Sequence, residues 1–273
     1  PQERVMIGFY CPMEHRTITI VDSHVHTGLT KYVPVEILVA QMEASGIDKA
    51  ILVQYGGQFD NTYEQKVCQR FPGKFAPWGM VDTSRPDAAV RFTKSVEAHG
   101  MVGYRVPATA RAADDNPWAF WERIQELGVV VTLSGHRDQF AAKETADLIE
   151  RHPGIKFRIE HLGQPRFDED DPYPQFQKVL QLSKFSNAYI AYSGLYGAGR
   201  HGYPYDDLVL LLKMIYDAFG PQRILWGSDF PPVCMHETVK MNLELFKAGF
   251  GFLTEADKAW ILGKTALEFT RFI

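Results

Sequence analysis

Eight short runs of β-branched and apolar residues, each followed by an amphipathic helical stretch, constrain this chain more than any other feature. The runs fall at residues 17–25, 50–54, 75–81, 101–106, 129–133, 156–160, 188–193 and 224–226. Helical patterns cover 34–45, 61–71, 86–99, 117–127, 141–151, 174–185 and 206–219, and two more, 237–247 and 254–269, follow the last run. Pro34 suits a first helical turn, and Gly46, Gly100 and Gly128 suit helix stops. Strands that alternate with helices read as parallel βα units joined by right-handed crossovers. Eight such units closing on themselves predict an α/β chain folded as a (β/α)8 TIM barrel. A single barrel uses about 250 residues, so the expectation is one domain over residues 1–273. The competing doubly wound sheet lacks its phosphate fingerprint, because no GxGxxG opens a helix.

Composition narrows the function classes. The net charge is −4, with no basic stripe, so a nucleic-acid partner is not expected. No apolar run approaches the roughly 20 residues that span a bilayer, and residues 1–16 lack the apolar core of a signal peptide. Cys11, Cys68 and Cys234 are far apart and show no metal-ligand spacing, which predicts reduced thiols and a cytoplasmic protein. The partner expected is a small molecule, and a homodimer is compatible with these features.

The positions of the nine histidines carry the chemistry. Asp22, His24 and His26 alternate at the end of the first run, so all three should share one face of the strand. Two imidazoles so placed can share one cation. The fifth run leads to His136, the sixth to His161 and the eighth to Asp229. In a barrel, residues at the C-terminal ends of strands read as chemistry. His15, His99 and His152 have ordinary structural readings, and the acidic run 168–171 reads as a solvated loop.

The segments Asp22-Ser23-His24-Val25-His26, Glu160-His161-Leu162-Gly163-Gln164-Pro165, Ser193-Gly194-Leu195 and Trp226-Gly227-Ser228-Asp229-Phe230-Pro231 occur in this order. Together they resemble the amidohydrolase superfamily, in its amidohydrolase-related branch of lactonases and non-oxidative decarboxylases. The resemblance implies that His24 and His26 are metal ligands, or contacts to the substrate carbonyl in members without metal. It implies that Asp229 is the general base and a ligand, that His161 assists proton transfer, and that His136 matches the fifth-strand ligand less closely. The resemblance would also place a metal-bridging lysine at the end of the fourth run, which offers Arg105 and no lysine, so a two-metal centre is not expected.

Lactone hydrolysis needs water, a base, and stabilisation of the charge growing on the carbonyl oxygen. One zinc or manganese ion could supply part of this, and a metal-free site is the alternative. Arg105 is the candidate partner of a substrate carboxylate. Tyr55, Trp78 and Tyr192 would form an aromatic wall, and Arg200 and Tyr203 belong to a rim loop that sets specificity. The leading expectation is a metal-dependent lactonase for a carboxylated or sugar-like ring. The competing one is a metal-dependent decarboxylase, favoured by His136.

Overall fold

A computed structural model describes residues 18–112, 116–167 and 173–273. Eight parallel strands pair in sequence order: β1 (Val21–Val25), β2 (Lys49–Val53), β3 (Phe75–Gly79), β4 (Gly103–Pro107), β5 (Val130–Ser134), β6 (Phe157–Ile159), β7 (Ala188–Tyr192) and β8 (Ile224–Trp226). The sheet returns on itself where Val25 bridges Phe230 in parallel. The expected barrel is present, and helices follow the strands as the sequence pattern predicts. The helix stops at Gly46, Gly100 and Gly128 are also where expected. Cys11, His15, the start of the first run and the acidic run 168–171 lie outside the described residues.

Side-chain alternation divides the apolar residues into two layers. Leu52, Tyr104, Leu133, Ile159, Ile190 and Trp226 face outward and pack against helix residues such as Phe92, Phe120, Leu211 and Phe246. Val21, Ile51, Val53, Trp78 and Leu225 face inward, where Ala266 and Phe269 join them. The late segment therefore plugs one end of the barrel, and the Thr270 hydroxyl lies 3.3 Å from the Trp78 indole N–H that it accepts.

Two members of the expected aromatic wall are thereby corrected. Trp78 fills the barrel interior, 5.7 Å from the Phe269 ring. It pairs with Gly103, where a Cβ would come within 2.6 Å of the indole, so only glycine leaves the ring its place. Tyr192 points outward, donates its hydroxyl proton to the Leu212 carbonyl and packs on Phe246. The single late helix expected over 254–269 is instead Glu255–Ala259, a wider π-helical turn at Trp260–Lys264, and Thr265–Phe269. Among the described residues, no helix is long and apolar enough to cross a membrane.

Glu64, on the helix Thr62–Arg70, is buried, and its Oε2 has no hydrogen-bond partner among the described residues. Burial pushes its carboxyl up to about 7. A group easier to protonate in the folded than in the unfolded chain stabilises at acidic pH, and that stability is lost as pH rises through its folded pKa. Folding stability should therefore fall by up to about 3 kcal/mol between about pH 4 and about pH 7 on this account. Glu64→Gln should flatten the fall. Urea midpoints for both proteins at about pH 5 and about pH 8 test this, and parallel curves would count against it.

Candidate active site

The first strand is not regular. Asp22 pairs with Ala50 and Val25 with Leu52, so three steps on β1 match two on β2, a β-bulge. Val21 packs inside the barrel and Val25 outside, although an unbroken strand would put them on one face. The bulge brings His24 and His26 together at the barrel mouth but leaves Asp22 behind them. This corrects the expectation of one shared face. Asp22 accepts the backbone N–H groups of His24 at 3.2 Å and Ser228 at 2.9 Å, and burial raises its carboxyl to about 7.

The closing seam of the barrel runs through the same residues. The Asp229 N–H donates to the His24 carbonyl at 2.9 Å, and the His26 N–H donates to the Phe230 carbonyl at 2.8 Å. A Cβ on Gly227 would sit 2.8 Å from the His24 backbone nitrogen, so only a glycine allows this approach. Asp229 takes the left-handed conformation, with φ at 62°. A non-glycine residue there carries strain, which concentrates at functional sites.

Three imidazoles and one carboxylate converge at this seam. The Asp229 Oδ1 lies 3.3 Å from His26 Nε2 and 3.8 Å from His24 Nε2. The His24 ring centroid is 4.9 Å from that of His26 and 4.7 Å from that of His161. Burial pulls Asp229 toward protonation, but the charge of His161 and the hydrogen bond from His26 outweigh it and hold the carboxyl below its usual range. Burial likewise holds the His24 imidazole well below its ordinary value, with neighbouring His161 and Arg158 adding to the effect.

Ligand atoms of His24, His161 and Asp229 all lie within 4.8 Å of one another, a spacing that could hold a metal ion. A ligating histidine ordinarily donates its other ring N–H to an acceptor. His26 meets this requirement, because its Nδ1 is 2.6 Å from the Val53 carbonyl. His161 can meet it, because its Nδ1 is 3.0 Å from the Ser193 hydroxyl, which either donates or accepts. His24 does not meet it. Its Nδ1 faces Nη2 of Arg158 at 3.1 Å, and a guanidinium only donates. The two-histidine clamp implied by the first strand is thus divided: His24 has the spacing but faces a donor, whereas His26 has the outer acceptor and sets its Nε2 against Asp229.

Other expected residues scatter. His136 is exposed beyond β5, next to the short helix Arg137–Phe140, with its backbone N–H on the Gln139 side chain at 2.8 Å. It is therefore corrected as a ligand, since the strand ends before the chain reaches it. Tyr55 stands at the rim, hydrogen-bonded to Thr30 at 3.1 Å and edge-on to Tyr32. Arg200 and Tyr203 are exposed in the rim loop, with the Arg200 guanidinium over the Phe167 ring. Cys68 is buried and Cys234 is exposed.

Sequence reasoning missed three residues. Tyr196 donates its hydroxyl proton to Asp229 Oδ2 at 2.6 Å and stacks on His236. Tyr32 stacks on His26. Arg158 lies wholly buried under His24. The last had a visible signal, because Phe157-Arg158-Ile159-Glu160 alternates apolar with charged residues, and the charged face must turn inward.

A sequential eight-stranded barrel with an acid–base cluster at the C-terminal ends of β1, β6 and β8 defines an α/β-barrel enzyme scaffold. The chain belongs to the amidohydrolase family, whose sequence profile matches residues 21–272. It is 24% identical over 208 residues to a 4-sulfomuconolactone hydrolase of Hydrogenophaga intermedia, a match covering 72% of this chain and 65% of that one. It is 31% identical over 205 residues to a D-galactarolactone isomerase of Agrobacterium fabrum, covering 72% and 66%. The chain thus spans slightly under two thirds of the length of these relatives. An amidohydrolase structure from Burkholderia multivorans with bound zinc shares the fold, with a TM-score of 0.75, 20% identity, and coverage of 92% of this chain and 98% of that one.

Arg105, the expected partner of a substrate carboxylate, is half of an ion pair. Its Nη2 donates to Glu160 Oε2 at 2.8 Å, its Nε has no partner among the described residues, and Glu160 is almost fully buried. Burial alone would protonate Glu160, but the facing guanidinium keeps it ionised. Removing one partner of such a pair leaves a buried charge uncompensated, at a cost of about 3–5 kcal/mol. Arg105→Met should lose that much stability and the double variant Arg105→Met/Glu160→Gln much less, as read by urea denaturation. Equal losses in the two would show that the pair contributes little.

Proposed function

We propose that the chain hydrolyses a lactone, opening a small cyclic ester that carries an anionic or hydroxyl-rich substituent. The observation that carries this reading is the convergence of the Asp229 carboxylate with His24, His26 and His161 at one point of the barrel mouth. The activities of the relatives, lactone hydrolysis and lactone isomerisation, support the same substrate class.

Asp229, ionised and aligned by the Tyr196 hydroxyl, takes a proton from a water molecule that attacks the lactone carbonyl carbon. The carbonyl oxygen, gaining negative charge, sits among the imidazoles. The ring C–O bond then breaks, and the departing oxygen receives the proton from Asp229. A carboxylate whose pKa is held low accepts a proton reluctantly, so stabilisation of the oxyanion has to supply much of the rate. Arg105, partly exposed and with an Nε that has no partner among the described residues, is the group that would meet a carboxylate or sulfonate on the substrate. Tyr32 and Tyr55 offer apolar faces near His26. A zinc or manganese ion, if bound, would polarise the carbonyl and lower the pKa of a bound water. It would be held by His161 and Asp229, whose ligand atoms lie within 4.8 Å of each other, with His26 Nε2 3.3 Å from Asp229.

The decarboxylase alternative drew on His136, which stands apart from the cluster, and no other feature of the site favours it. The test is a panel of sugar lactones and anionic unsaturated lactones, with ring opening followed by acid release. The wild-type chain should open at least one of them. Asp229→Asn should lower kcat at least about a thousandfold, the scale of losing a catalytic base together with its charge, while its urea midpoint shows a folded protein. Undiminished turnover by that variant would remove Asp229 from the mechanism.

A further inference from the structure

Arg158 is a buried cation that the reaction above does not use. It extends inward from β6, and every nitrogen of its guanidinium is engaged. The Nη1 donates to the Ser23 carbonyl, the Nε to the Thr132 hydroxyl at 3.2 Å, and the Nη2 faces His24 Nδ1 at 3.1 Å. Its flat face lies 4.5 Å over the Trp78 ring. Held at four points, it cannot swing aside, and having no acceptor it cannot accommodate a proton on His24 Nδ1.

The other two histidines sit differently. The Nδ1 of His26 meets a carbonyl, which compels a proton there. The Nδ1 of His161 meets a hydroxyl, which accepts either tautomer. Within one cluster the backbone thus requires a proton on Nδ1 of His26, while a single arginine excludes one from Nδ1 of His24. The consequence at His24 is an Nε2–H aimed into the site. That atom is buried and has no partner among the described residues. A buried polar group without a partner needs explaining, and a substrate oxygen arriving at the cluster would satisfy it.

We infer that Arg158 is a positioning residue that holds His24 in its Nε2–H tautomer, making His24 a hydrogen-bond donor to the substrate carbonyl oxygen and a poor ligand for a divalent cation. The donor role rests on the lactone reading; the tautomer and the poor metal affinity do not. An HxH pair is thereby split into one imidazole that donates and one whose Nε2 lies against the base.

The experiment uses the full-length chain labelled with 15N in its histidines, without substrate. Long-range 1H–15N spectra distinguish protonated from bare ring nitrogens, and the His24 signals are assigned by their loss in His24→Asn. The expected wild-type result is a bare Nδ1 and a protonated Nε2. Zn2+ affinity is then measured by competition with a chromophoric chelator. Arg158→Gln, whose amide oxygen accepts from Nδ1–H, should shift His24 to the other tautomer and tighten zinc binding about 10–100-fold, the usual range for an outer hydrogen-bond partner. Arg158→Lys, still donor-only, should retain the wild-type tautomer and the weak zinc binding. A protonated Nδ1 in the wild type would overturn the inference, as would equal zinc affinity in the wild type and in Arg158→Gln. Should Arg158→Gln fail to fold, the wild-type spectrum and Arg158→Lys still decide. Failure to find a hydrolysed lactone would leave these readouts intact, so the two ideas fail separately.

Discussion

The seam between β1 and the segment after β8 governs both the fold and the site. Seven of the strand junctions are ladders, whereas the eighth is made at the Val25–Phe230 bridge, with donors from Asp229 and His26. The buried Asp22 carboxylate clips both sides of the seam by accepting from His24 and Ser228. The Asp229 carboxylate and two imidazoles are thus placed by the backbone bonds that close the cylinder. Their geometry depends on strand register instead of a long flexible loop, which suits groups that must meet a reacting atom within fractions of an ångström.

Beneath that seam the interior carries charge where barrels more often carry branched aliphatics. Arg158 and Glu160 project inward from β6, and Arg105 from β4 reaches Glu160. Burial lowers Arg158 to about 10, which leaves it a cation at neutral pH. Such groups contribute little net stability compared with apolar packing. Their value lies in orientation. Arg158 faces the His24 ring, and Arg105 and Glu160 face each other.

Much of this was legible in the residues. The alternation of apolar runs and amphipathic stretches established the barrel, because strand and helix periods differ and each run was bounded by turn residues. His24, His26, His161 and Asp229 came together because all four stand at the ends of runs. Trp78 and Tyr192 were misread for one reason: a one-residue choice of strand face decides whether an aromatic ring lines the mouth, fills the cylinder or packs under a helix. The bulge in β1 has no signature in Asp22-Ser23-His24-Val25-His26, since it arises from pairing with β2. His136 was misplaced because β5 ends before it. Tyr196 follows its motif by a single residue, and only the turn after β7 aims it at Asp229.

The two halves of the seam are made by residues 206 positions apart, and residues 266 to 270 stopper the opposite end of the cylinder. During synthesis, β1 leaves the ribosome long before its partner edge exists. Until then its hydrogen-bonding edge and the apolar faces of the early strands stay open to wrong partners, the hazard that accompanies contacts of long sequence separation. The cluster at the mouth is therefore completed late and all at once in the life of each molecule. A chain shortened before β8 has neither Asp229 nor a closed wall to hold it.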